Sequence, residues 1–188
     1  MKKIGTFLLV FGTCFGLSAN MAAAAQRQDV IDFDLYSTIY NYGESINKVV
    51  LDTTELDIDE GCLTADMFQV QAKGKEHMIM GAAVRMVEED GLKHYGTYDE
   101  AREVKDIYVE DGKLVLDLVT QKNTPGKSTL DFTANFETKK GCNLSLDVSY
   151  DITLTKPLKL KDGTQIEAAS FKQGEIINEE VRKFAPGR

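Results

Sequence analysis

The chain has 188 residues and a formal net charge of −8 at pH 7, from 30 acidic and 22 basic side chains. This length predicts one domain, or one domain with short appendages. The acidic balance argues against nucleic acid and against docking on anionic lipid, because both depend on clustered Lys and Arg. We therefore expect neither among the partners of the chain.

Residues 1–25 have the features of a secretory signal peptide. Lys2 and Lys3 form a basic n-region, residues 4–17 are mostly apolar, and four alanines at 22–25 offer a cleavage site. A membrane anchor is the alternative, but the apolar run is short and is broken by glycines. We predict cleavage, which takes the charge from −8 to −10 through the loss of the two lysines, and a secreted mature chain without a membrane segment.

Apolar and polar residues alternate along most of the mature chain, with the two-residue period of a half-buried strand. An Asp-Gly pair at 111–112, between two apolar runs, indicates a hairpin. The pattern predicts about eight strands separated by Gly, Asn, Asp and Pro turns. These strands are 30–36, 46–51, 66–72, 78–87, 104–109, 113–119, 129–136 and 144–154.

The order of these elements predicts an all-β fold, an antiparallel two-sheet sandwich over residues 26–170. Residues 99–103 are expected to form a helical turn and residues 175–184 a short helix. Residues 171–188 are polar and typical of a mobile, linker-like tail. The side chains expected to point inward are Ile31, Phe33, Leu35, Val50, Phe68, Val70, Val84, Ile107, Leu114, Leu116, Leu130, Phe132, Leu146, Val148, Tyr150 and Ile152.

Two cysteines remain after cleavage, Cys62 and Cys142. An even pair in an oxidising compartment is a candidate disulfide, which requires Cα atoms about 4.4 to 6.8 Å apart. The alternative is two free, half-buried thiols. Together with His77 and His94 they give no zinc-binding spacing, so we expect no metal and no cofactor.

Catalytic residues are not evident in the sequence. Ser45 lacks the second glycine of a nucleophile elbow, and His77 and His94 fall in loops without a serine or cysteine partner. The acidic segment 57–61 resembles a calcium loop, but its glycine falls one place early and the closing glutamate is missing. We expect a chain that is not an enzyme.

Three tyrosines near the first strand are weak candidates for a ligand platform: Tyr36, Tyr40 and Tyr42. Aromatic side chains are enriched at binding surfaces, where they could stack on sugar rings. Half-buried rim residues are the alternative, because tyrosine often buries its ring and leaves its hydroxyl wet.

Several strings resemble the immunoglobulin-like N-terminal domain of secreted bacterial esterases. Residues 44–53 and 63–70 are similar to the opening of that domain, 102–120 fit its middle, and 146–157 are similar to its last long strand. The resemblance covers roughly residues 29 to 170, and it rests on the order and spacing of the strings rather than on any one of them.

The resemblance implies an immunoglobulin-like fold and an ancillary role. In that family an α/β-hydrolase module follows and carries the serine, acid and histidine, and residues 171–187 are similar to the connector. This sequence has no nucleophile elbow and no His-Gly-Gly segment, so no catalytic residue carries over. We expect a truncated or stand-alone copy that packs beside a hydrolase module or another chain. The alternative is an extracellular module that binds polysaccharide or cell wall.

Overall fold

The structure is a computed structural model, which describes residues 29–76, 93–94, 97–135 and 139–180. Strands account for most of these residues, and two short 3-10 helices, Glu60–Cys62 and Ala65–Met67, precede the third strand. The strands are β1 Asp29–Tyr40, β2 Gly43–Leu51, β3 Phe68–Glu76, β4 Lys93–His94, β5 Tyr98–Arg102, β6 Val104–Glu110, β7 Lys113–Leu118, β8 Leu130–Asn135, β9 Lys140–Leu154, β10 Leu158–Lys159, β11 Gln165–Ile166 and β12 Ala169–Asn178.

Two five-stranded sheets make up the body of the domain. The first has the order β12-β1-β2-β7-β6 and the second β4-β8-β9-β3-β5, while β10 and β11 form a small ribbon. The prediction of a mostly β chain is confirmed. Its wholly antiparallel arrangement is wrong at one edge, because β12 runs parallel to β1.

One hydrophobic core lies between the two five-stranded sheets. Alternate side chains of β1, β2 and β7 meet alternate side chains of β3 and β9, as the two-residue period requires. Each fully buried Leu, Ile or Phe contributes roughly 1.5 to 3 kcal/mol by leaving water. The predicted core residues that are buried are Ile31, Phe33, Leu35, Phe68, Val70, Leu114, Leu116, Leu146, Val148 and Tyr150.

Other predicted core residues lie nearer the surface. Val50, Ile107 and Ile152 are only half-buried. Leu130 and Phe132 are 39% and 47% exposed, so their inward placement was wrong. Both lie in β8, whose neighbour on one side is the two-residue strand β4, and so short a neighbour covers little of β8. Val84 lies outside the described residues, as do the predicted strand 78–87 and the signal peptide.

The Asp-Gly hairpin is confirmed between β6 and β7. Asp111 and Gly112 have φ of 51° and 76°, the left-handed values that a two-residue hairpin turn of this kind needs at both positions. The turn fixes the register in which Val109 faces Leu114.

Two predicted non-strand segments are strands. Residues 99–103, expected to be a helical turn, lie mostly in β5, and residues 171–178, expected to begin a linker-like tail and a helix, form most of β12. The register of β12 on β1 runs from Asp29 opposite Ala169 to Ser37 opposite Asn178. An edge strand buries few side chains, so its polar composition resembles that of a linker.

Gln173 of β12 ties the edge of the first sheet to the second. Its amide nitrogen donates to the Val148 carbonyl at 3.0 Å, and its amide oxygen accepts from the Tyr150 N–H at 2.7 Å. Residues 146–154 of β9 pair with β3 on their other side. The Gln173 side chain thus satisfies two backbone groups on the opposite side of β9.

Candidate functional site

A cleft of about 630 Å³ lies along the loop that joins β7 to β8, and we call it the β7–β8 cleft. The start of β2 contributes one wall, and the start of β5 together with β8 contributes the other. Its lining combines aromatic rings, charged groups and amides, and includes Tyr42, Glu44, Tyr98, Lys122, Lys127 and Phe132.

Lys127 brings a buried cation to the β7–β8 cleft, with only 6% of its surface exposed. Its ammonium donates one long hydrogen bond, of 3.4 Å, to the Ser45 hydroxyl, and lies 4.5 Å from the centre of the Tyr42 ring. Burial, helped by the nearby charge of Arg102, holds the pKa of Lys127 below its ordinary value of 10.5. The surrounding groups therefore compensate the Lys127 charge only in part.

Arg102 is a second buried cation behind the cleft, 3% exposed. Its guanidinium reaches from β5 in the second sheet to backbone of the first sheet, and its Nε has no hydrogen-bond partner among the described residues. All of its acceptors are neutral: the carbonyl oxygens of Gly126, Ile46 and Val119 and the hydroxyls of Tyr150 and Thr120. Neutral dipoles rather than a carboxylate thus stabilise the Arg102 charge. The positive charge of Arg102 still repels the Lys127 ammonium and helps to lower the pKa of Lys127.

Glu44 is the half-buried acid of the cleft. Its carboxylate accepts hydrogen bonds from Ser37 at 2.7 Å and Thr129 at 2.9 Å, and a further one from the Asn178 amide. Burial alone would raise the pKa of Glu44, but these three donors outweigh it, and the pKa lies below its ordinary value. Glu44 is therefore a fixed, ionised acceptor whose charge is already compensated.

The structure brings together two of the three candidate platform tyrosines. Tyr40 and Tyr42 stack with ring centres 5.0 Å apart and planes 4° from parallel, and the Tyr42 hydroxyl donates to the Thr120 carbonyl at 3.2 Å. Tyr36 lies elsewhere, in a separate cavity of about 400 Å³ with Lys48 and Glu179. Only Tyr42 lines the β7–β8 cleft.

The opposite wall of the cleft carries exposed apolar surface. Leu130 and Phe132 line it with 39% and 47% of their surface in water. Tyr98, also in the lining, donates its hydroxyl to the Ser128 carbonyl, and burial raises the pKa of that hydroxyl. An exposed aromatic ring beside hydrogen-bonding groups suits a ligand that has both an apolar and a polar face.

The Ser45–Lys127 contact is unsuited to nucleophilic catalysis. A lysine of lowered pKa beside a serine is the composition of a Ser–Lys nucleophile pair. Ser45, however, is completely buried, so a substrate carbonyl cannot reach its hydroxyl. The 3.4 Å separation is also long for proton transfer. The geometry favours binding over bond breaking.

The predicted Cys62–Cys142 disulfide is wrong. Cys62 carries a free thiol, which donates to the Asp59 carboxylate at 3.1 Å, and this contact raises the pKa of the thiol. The backbone of Cys142 pairs with Thr133 in β8, whereas Cys62 precedes β3, whose first residue pairs with Leu154 at the far end of β9. At about 3.3 Å per residue, the stretch of β9 from Cys142 to Leu154 spans about 40 Å.

The remaining candidate residues do not form a site. His77 lies outside the described residues, and His94 lies in β4. Within the described ranges, no group of three His, Cys, Asp or Glu side chains could hold a metal ion. In the acidic segment 57–61, Asp57 pairs with Lys161 at 2.7 Å. Of the helical segments that the structure describes, none is both long and apolar enough to span a bilayer.

Sequence reasoning missed Arg102 and Lys127. Arg102 stands among charged residues, and Lys127 follows Pro125-Gly126 in a turn, so solvated positions were the natural interpretation. One indication existed for Arg102. In an extended strand it shares a face with Tyr98 and Val104, which contact the core.

The comparisons with known proteins concern the fold. No family model matches the chain, and no curated protein does. A solved structure described as the "Crystal Structure of a Thermostable Esterase" is similar with a TM-score of 0.57 and 19% sequence identity. The similarity covers 78% of this chain and 35% of that chain, so this chain spans about a third of the esterase.

Proposed function

We propose that this chain is a non-catalytic ancillary domain with an immunoglobulin-like sandwich fold, of the kind that precedes the hydrolase module in secreted bacterial esterases. The supporting observation is the likeness to a thermostable esterase, which takes in 78% of this chain but only 35% of the esterase. The matched part is the size of one domain, which leaves most of the esterase for a separate module.

The proposed role is to pack beside a catalytic module or another copy, in an exported protein. Residues 1–25 support export through their basic, apolar and small-residue parts. The absence of catalysis is supported by how two described serines are held. Ser37 donates to Glu44 and Ser45 is buried against Lys127, so both hydroxyls belong to internal contacts.

The activity assay uses purified residues 26–188 with short-chain aryl esters as substrates. We expect hydrolysis at the rate of buffer alone, because a serine mechanism needs an accessible nucleophile, a base and an oxyanion hole. The matched control is the His77→Ala/His94→Ala double variant, which removes both imidazoles of the chain. Turnover by the unmodified protein that disappears in the double variant would contradict the proposal.

The ancillary role has a test of its own in the coding sequence. An α/β-hydrolase reading frame that continues from the codon of Arg188, or lies in the adjacent gene, would support it. Co-expression with that hydrolase should then yield a complex that elutes as one species in size-exclusion chromatography. Separate elution of the two proteins at micromolar concentration would argue against packing between them.

A second candidate function is extracellular glycan binding, and the β7–β8 cleft favours it. The cleft offers an exposed Phe132 ring, the stacked Tyr42 and the fixed acceptor Glu44 within about 630 Å³. Pull-down on insoluble polysaccharides tests this function, with the Phe132→Ala variant as the matched control. Retention that the variant loses would support glycan binding, and equal retention of both proteins would contradict the cleft as the site.

A further inference from the structure

We propose that the β7–β8 cleft binds a sugar that carries a carboxylate, a uronic acid unit of an acidic polysaccharide, and that Lys127 receives that carboxylate. The inference rests on the second candidate function, because it names the class of glycan that the same cleft would take. It does not depend on the ancillary role.

The charge of Lys127 is incompletely paired. An ammonium has three donors, and within the described ranges this one makes a single hydrogen bond, of 3.4 Å, to the Ser45 hydroxyl. Across the part of the chain that the structure describes, no carboxylate lies within ion-pair distance of it. The face of the Tyr42 ring, 4.5 Å away, supplies the remaining electrostatic support. A ligand carboxylate would complete the set of partners.

A second positive charge, that of Arg102, lies behind the cleft. Arg102 is also buried, and its hydrogen-bond acceptors are carbonyl and hydroxyl oxygens. Burial is the main cause of the lowered pKa of Lys127, and the positive charge of Arg102 adds to it. An anion entering the cleft lowers the energy of both cations, whereas a neutral ligand leaves it unchanged.

The walls of the cleft suit a sugar ring in shape and chemistry. The C–H face of a pyranose ring is apolar and can lie on an exposed aromatic ring, and Phe132 is 47% exposed at the wall. Amides of Asn123 and Asn143 line the same cleft and can bond sugar hydroxyls. A volume of about 630 Å³ lies in the range of small-ligand sites, about 300 to 1,000 Å³.

The acids of the cleft set a limit on the charge of the ligand. Glu44 and Glu100 line it together with Lys122 and Lys127. Glu44 already has three donors, so it does not compete for Lys127, but its negative charge opposes a densely anionic ligand. A sugar with one carboxylate per ring and several hydroxyls fits this mixture, because acids accept hydroxyl hydrogen bonds.

The test is calorimetric titration of residues 26–188 with trigalacturonate and with its fully methyl-esterified form. The two probes have the same rings and hydroxyls, and each carboxyl group is a charged carboxylate in one and a neutral methyl ester in the other. We expect the acid form to bind at least about tenfold more tightly, because it gains a charge-assisted hydrogen bond. Added salt should weaken the acid form and leave the ester form unchanged.

Three variants locate the effect. Lys127→Met keeps the aliphatic stem and should reduce the affinity for trigalacturonate to that of the ester, and Phe132→Ala should weaken both probes. Lys113→Met removes a lysine from the separate 400 Å³ cavity and should change neither. Thermal unfolding of each variant checks that it is folded. If Lys127→Met is not, the preference of the unmodified protein for the acid form over the ester form, and its loss in added salt, carry the test.

The possible contrary outcomes overturn different statements. Equal binding of the acid and ester forms would overturn the carboxylate contact and leave glycan binding in place. Binding of neither form would overturn the inference without touching the ancillary role. Acetate or an acidic peptide that binds as tightly as trigalacturonate would show a general carboxylate site, which also overturns the sugar assignment.

Discussion

Lys48 and Lys127 both lie beside tyrosines, but the protein compensates their charges in opposite ways. Lys48 stands 2.8 Å from the Glu179 carboxylate, and that hydrogen bond, working against burial, raises the pKa of Lys48. Lys127 has no such acid among the described residues, and burial lowers its pKa. A nearby carboxylate, rather than burial alone, decides whether the protein stabilises the charged lysine.

Lys48 has a complete ion pair, whereas the charge of Lys127 is only partly compensated. On the outer face of the first sheet, Glu179 also accepts from Thr38 at 2.8 Å, so the segment after β12 is fastened to β1 and β2. At the β7–β8 cleft, the partners that Lys127 and Arg102 have in the described part of the chain are all neutral. The first region pairs opposite charges, whereas the second buries two cations among uncharged hydrogen-bond acceptors.

The largest expected effect on the free energy of unfolding comes from replacing Arg102, which lies behind the cleft. Arg102→Ala removes hydrogen bonds that join the two sheets and leaves a cavity in their place. We expect a loss of about 3 to 5 kcal/mol in the free energy of unfolding, measured in urea. Lys105→Ala, which breaks an exposed ion pair with Asp117, is the control and should leave the free energy of unfolding nearly unchanged.

A smaller effect on the free energy of unfolding is expected from Lys127, and this effect depends on pH. Because the pKa of Lys127 is lowered on folding, the unfolded state binds more protons between the folded pKa and 10.5, so stability should rise with pH in that window. The unfolding free energy of the wild type relative to Lys127→Met should therefore increase from neutral pH towards 10.5. A difference that stays flat would show that folding leaves this lysine fully compensated.

The contribution of Lys48 to the free energy of unfolding should have the opposite pH dependence and be the smallest of the three. Its raised pKa means that its contribution is complete below 10.5 and is lost as the pH rises through the folded pKa. Glu179→Gln keeps the side-chain shape, removes the negative charge and should cost about 0.2 to 1 kcal/mol at neutral pH. Urea unfolding of this variant and of the wild type, at neutral pH and above pH 10.5, measures the cost at each pH. A cost in unfolding free energy that grows at high pH would contradict the pairing with Lys48.

Periodicity predicted the strands that bury one whole face. β1, β3 and β9 place every second side chain in the core, so their alternation is visible in the sequence, and the left-handed turn at Asp111-Gly112 is specified by two adjacent residues. β12 was missed because an edge strand exposes most of its side chains. Its one large ring in contact with the core, that of Phe171, is too little for a pattern.

The candidate site was far less predictable than the fold. Tyr42 was identified as an aromatic at a strand end, but no local pattern shows that Lys127 is buried. For Arg102 the strand alternation indicates an inward face but not its bonds to the other sheet. The predicted disulfide between Cys62 and Cys142 was wrong for a related reason. Whether two residues are close in a β fold depends on the positions along a long strand at which they lie. Cys142 and Leu154 share β9 and yet mark its two ends.

The parallel pairing of β1 and β12 gives the domain a direction in which it resists force. Asp29 lies opposite Ala169 and Ser37 opposite Asn178, so the ends that leave the sheet, Asp29 and Asn178, point away from each other along the strand axis. Tension applied between them loads the hydrogen bonds of this pair in shear, all together, rather than opening them one at a time. A domain tethered at both of these ends would behave as a stiff link, and pulling it apart would require the whole β1–β12 ladder to slip at once.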